Sequence, residues 1–152
     1  MIKFLPEKRK GQNIIHVVAS FLFLYILWTI ETVLPSWFPD FSLIFIIIAA
    51  LSFPPAVASF LGFFLGFLSD NLSPNLLGRY TTFYTLLSFL LSYFKNYIIF
   101  SYPYLFLLVS VSIFLKGLIG GFHLLKFLLT LLFLIPFIKI LRKWGKDFIL
   151  IR

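Results

Sequence analysis

The sequence contains no cysteine, which excludes disulfides, thiolate zinc sites and cysteine nucleophiles together. Charge is nearly as scarce. Asp, Glu, Lys and Arg make up 12% of the chain, and only five residues are acidic, whereas a soluble domain carries about 25% charged residues. So little charge cannot cover a water-facing surface. This excludes a soluble enzyme, a disordered tail and a nucleic-acid-binding domain, despite the net charge of +8. What is present is apolar: 61% hydrophobic and 21% aromatic residues, 22 Phe, and a mean hydropathy of +1.06. Lipid is the expected solvent.

Length sets the architecture. A spanning helix needs about 20 residues, so six would use about 120 of the 152 and leave no room for an extramembrane domain. The first apolar run, Ile14 to Leu34, is too long for the core of a signal peptide and is expected to be a retained span. Repeats, low-complexity tracts and heptads are absent. The expectation is an all-α integral membrane protein with a basic tail at 1–13, a six-helix membrane domain at 14–141 and a second basic tail at 142–152.

Proline, glycine and polar clusters place the boundaries. Pro35 and Pro39 break the first span, with Trp37 suited to the headgroup level. Span two runs from Phe41 to about Phe53 and stops at Pro54-Pro55. Span three continues from Pro55 to Ser69, and a polar loop from Asp70 closes at Gly78 and Arg79. Span four is Tyr80 to Phe94 and span five Tyr97 to Leu115. Lys116-Gly117 and Gly120-Gly121 are expected as a flexible loop before span six, Phe122 to Leu141. Of the 13 Lys and Arg, all but Arg79, Lys116 and Lys126 fall in the two tails, at Lys139 beside the second tail, or at Lys95. That bias predicts an even number of spans with both termini cytoplasmic. The basic excess then serves topology and anionic lipid, not nucleic acid.

Within span three, Ala58, Gly62, Gly66 and Asp70 recur every four residues and so share one helix face. Small residues at that spacing let a second helix approach closely. Span four offers a hydroxyl stripe, Thr81, Thr85, Ser88 and Ser92, which is expected to meet it. Asp70 and Arg79 are candidates for an ion pair closing this hairpin. Glu31 and Asp40 are expected at the membrane interface, near the same face as Lys116 and Lys126, without the fixed spacing or third polar partner that acid–base catalysis needs. His16 and His123 fall at opposite membrane faces and cannot share a metal. No hydrolase, zinc-protease or phosphate-loop motif occurs, and Asp70 is the only acid between Asp40 and Asp147, so the paired aspartates of lipid-headgroup transferases are missing. Neither a catalytic residue nor a cofactor is expected.

The stretch Gly62-Phe-Phe-Leu-Gly66-Phe-Leu-Ser-Asp70, continuing to Asn75-Leu76-Leu77-Gly78, resembles the hallmark of the MreD family of bacterial rod-shape-determining membrane proteins. Six apolar spans, basic tails and the early Pro-rich turn are also similar to that family. The resemblance implies a fold like the S-components of energy-coupling-factor vitamin transporters. It further implies a non-enzymatic scaffold of the cell-elongation, peptidoglycan-synthesising complex in the plasma membrane. Its partners would be a bitopic MreC-like protein and, indirectly, MreB, RodA and the elongation transpeptidase. Gly62, Gly66, Asp70 and Gly78 would be the family positions, serving packing and docking. The alternative is a substrate-binding S-component, whose pocket Trp37, Tyr102, Tyr104 and the outer-face charges would line. A membrane enzyme ranks third.

Overall fold

A computed structural model describes residues 10–72, 78–95 and 102–144. Six helices follow one another: α1 (Lys10–Val33), α2 (Phe41–Ser52), α3 (Pro55–Leu72), α4 (Arg79–Phe94), α5 (Tyr102–Gly120) and α6 (Leu124–Trp144). Among the described residues there are no strands. Most of both tails, the 73–77 connection with Asn75, Leu76 and Leu77, and the expected start of span five at Tyr97 lie outside the described residues.

Several boundaries differ from the sequence expectation: α3 runs on to Leu72, so Asp70 is helical and not the start of the loop, and α6 begins at Leu124, not Phe122. Helix α1 begins at Lys10, inside the expected tail, and α6 runs on to Trp144. The expected loop at Lys116-Gly117 is helical, because α5 continues to Gly120; Lys116 is tied down by an ion pair described below, so its charge does not end the helix. The real break is Gly121, at φ +98°, a conformation that costs glycine little.

Helix α2 is the centre of the bundle and touches every other helix. Each residue from Ser42 to Ala50 is buried, on all faces of the helix, and the apolar run Ile44 to Ala50 has no polar side to turn outward. At 12 residues it is about 18 Å long. Helix α1 covers it with Leu24 and Leu27, α3 with Leu61 and Leu65, α5 with Val109 and Ile113, and α6 with Leu134, all buried.

A fully buried helix must satisfy its end groups without water. At the start of α2, Phe41 N–H donates to the Pro39 carbonyl (3.1 Å) and Ile44 N–H to that of Asp40 (3.2 Å). Ser42 N–H donates to Glu31 Oε1 (2.6 Å) and Leu43 N–H to Asp40 Oδ1 (3.2 Å). At the other end, Phe53 is extended (ψ 160°), which turns its carbonyl out of the helical pattern. Ser92 Oγ (2.6 Å) and Lys95 Nζ donate to it instead.

The outward surfaces are apolar. Ile14, Ile15, Val18 and Leu22 of α1, Phe60, Phe63 and Phe67 of α3, and Leu124, Leu128 and Leu132 of α6 are all exposed. Two helices, Ile14–Val33 and Pro55–Leu72, are long and apolar enough to cross a membrane, while Phe41–Ser52, Phe106–Gly120 and Leu124–Pro136 are shorter apolar helices.

Candidate functional site

Two polar constructions occupy the end of the bundle where α1, α3 and α5 finish and α2, α4 and α6 begin. The first is the α3–α4 hairpin. Ala58, Gly62, Gly66 and Asp70 are buried on one face of α3. A methyl group at Gly62 would collide with the Tyr84 carbonyl and lie 2.5 Å from Ser88 Oγ; at Gly66 it would collide with the Thr81 backbone, 2.6 Å from its nitrogen. The glycines therefore bring the two backbones together along the hydroxyl stripe of α4. Thr85 and Ser88 turn their hydroxyls back onto the Thr81 and Tyr84 carbonyls (2.6 and 2.7 Å), which keeps those polar groups satisfied inside the contact.

Asp70 completes the hairpin from the end of α3. Its carboxylate accepts from the N–H groups of Gly78, Tyr80 and Thr81, each at 3.0 Å, and from the Thr81 hydroxyl. It thereby caps a helix that follows it in the chain, placing negative charge where the α4 dipole is positive. Gly78 makes the approach possible with φ +80°. The expected Asp70–Arg79 ion pair is not among those formed by the described residues: backbone donors already occupy the carboxylate, and Arg79 is exposed.

The second construction lies at the head of α2, and sequence reasoning missed it. Glu31 and Asp40, expected at the interface, are drawn inward around Ser42, and Asp40 is only 1% exposed. Ser42 Oγ donates to Glu31 Oε2 at 2.7 Å and sits 3.2 Å from Asp40 Oδ1. Lys116 from α5 pairs with Asp40 Oδ2, and Lys126 from α6 reaches the same oxygen at 3.8 Å. The Asp40 N–H donates to Thr130 Oγ1 at 3.0 Å. Lys116 Nζ also stands 5.4 Å from the centre of the Tyr84 ring, whose hydroxyl is buried with no hydrogen-bond partner among the described residues. Burial pushes the Asp40 carboxyl up, but the two ammonium groups more than offset this and hold it at about 2. One carboxylate thus joins α2, α5 and α6, and Glu31 ties α1 in through Ser42.

A cleft of about 210 Å³ opens over this cluster, lined by Asp40, Tyr80, Lys116, His123 and Lys126 among others. Trp37 does not line it. Tyr104 is exposed in the first turn of α5, at the other end of the bundle, and the Tyr102 side chain lies outside the description. Tyr104 and Trp37 thus do not supply the aromatic lining expected of a vitamin pocket. His16 and His123 sit at opposite ends, and among the described residues no group of metal-ligating side chains forms. The signal for the cluster was present as two acids flanking a Pro-rich turn and a lysine near each end of the α5–α6 connection. Nothing in their spacing showed that they meet. Compared with known proteins, the chain matches no family model, no curated protein and no solved structure.

Proposed function

We propose that this chain is a multi-pass membrane protein with six spans and both termini cytoplasmic. It acts as a non-enzymatic scaffold of the MreD type in a bacterial cell-elongation complex, in contact with a bitopic MreC-like protein. Support for the membrane setting comes from the continuous apolar exterior of α1, α3 and α6, which water would not tolerate on this scale. The bias of Lys and Arg toward the tails and Lys95 supports the orientation.

One observation carries the scaffold reading. The four family positions of the motif are all spent on the α3–α4 hairpin: Gly62 and Gly66 on contact, Asp70 and Gly78 on the cap. The other acids described, Glu31 and Asp40, likewise seal the head of α2. The acids serve helix ends, and the exposed side of α3, with Phe60, Phe63 and Phe67, remains for another helix. The direct test is co-purification in detergent with an MreC-like bitopic protein, together with cell shape after deletion. Stable association and conversion of rods to spheres are expected. Unaltered rods and no association would refute the reading.

A further inference from the structure

The cleft above the Asp40 cluster is not used by the scaffold reading, and its chemistry is lopsided. Its one carboxylate, Asp40, is shut away at 1% exposure and already paired with Lys116. The groups that reach the opening are donors. Lys126 is held only by the 3.8 Å contact, so its ammonium hydrogens are uncommitted among the described residues. His123 is exposed beside it, and Tyr80 also lines the cleft, its hydroxyl close over Gly120. Such a site attracts an anion with several acceptor oxygens. Its surroundings narrow the choice. Phe122 lies in the lining, and Leu118, Leu124 and Leu125 stand exposed on the adjoining turns of α5 and α6. An anion arriving with an apolar tail fits both surfaces at once, and helix ends are where lipid phosphates lie.

We propose that this cleft binds the phosphate of an anionic phospholipid headgroup, with Lys126 and His123 as its principal donors and the acyl chains along Phe122 and Leu125. This rests on the membrane setting proposed above. A choline headgroup would bring a further cation toward two lysines and is disfavoured.

The test uses the purified full-length chain in neutral detergent, titrated separately with phosphatidylglycerol, phosphatidylcholine and inorganic phosphate. The readouts are melting midpoint and lipid retained in native mass spectrometry. Phosphatidylglycerol is expected to raise the midpoint, and Lys126→Gln to require about fivefold more of it, while Lys126→Arg titrates as the unaltered chain. Should Lys126→Gln fail to fold, His123→Gln, at an exposed position, carries the comparison and is also expected to weaken binding. Equal stabilisation by phosphatidylcholine or inorganic phosphate overturns the proposal, as does an unchanged titration in the variants. A chain that stays soluble without detergent would instead refute the membrane setting itself.

Discussion

Replacing Lys116 by Met probes the head of α2 most directly. The change removes the principal cation from a carboxylate that is 1% exposed, and breaking such a pair costs about 3–5 kcal/mol. The lower part of that range is expected here. Lys126 already sits 3.8 Å from the same oxygen, and Leu43 N–H still donates to the other. At about 2–4 °C per kcal/mol for a chain of this size, the melting midpoint should fall by about 6–12 °C. Asp40→Asn is the partner change, since Asn caps a helix N-terminus about as well as Asp and the substitution isolates the charge. Combined, the two changes leave neither charge stranded, so the double variant should be more stable than the sum of the single effects by at least about 1 kcal/mol. The assay is thermal unfolding in detergent, followed by intrinsic fluorescence, for all four proteins. Simple additivity would refute the view that Asp40 and Lys116 act as a coupled buried pair.

Gly62→Ala should destabilise by about 1–3 kcal/mol through overpacking against Tyr84 and Ser88, and Gly66→Leu should abolish the folded monodisperse peak in size-exclusion chromatography. Gly78→Ala meets no neighbour within 4 Å, so its cost is conformational alone, about 1–2 kcal/mol, measurable as a drop in melting midpoint that Gly78→Asn largely avoids. For pH, the sign follows from a lowered carboxyl. The Asp40 contribution is fully present above its unfolded value of 3.8 and is lost as pH falls toward about 2. Melting midpoints taken from pH 5 to pH 2 should therefore decline less steeply in Asp40→Asn than in the unaltered chain.

Helix number and most boundaries were legible because proline and glycine act locally. Pro54-Pro55 ends α2 whatever surrounds it. The glycine face of α3 and the hydroxyl stripe of α4 were legible for a related reason: helices joined by a short connection must pack side by side, so matching faces meet. Lys116 was misplaced because a lysine and a glycine read locally as an exit from the helix, whereas its charge is compensated by Asp40, 76 positions earlier. The same distance hid the cluster. Its members lie on four helices, and no short-range pattern records which residues a tertiary fold will bring together. Asp70 was correctly placed at the hairpin but given the wrong partner. Arginine is the obvious counter-charge in a sequence, while three backbone amides leave no mark there.

The order in which the chain is made gives the Asp40 cluster a further consequence. Glu31 and Asp40 leave the ribosome well before Lys116, Lys126 and Thr130, which they wait for across as many as 90 positions. Until α5 and α6 are made, Asp40 at the head of α2 has neither of its ammonium partners, and the core lacks Val109, Ile113 and Leu134. A chain truncated or stalled before Lys116 thus leaves the Asp40 carboxylate without a counter-charge. Synthesis of α5 and α6 supplies both ammonium groups, so the Asp40 pairs can close only after those helices are made.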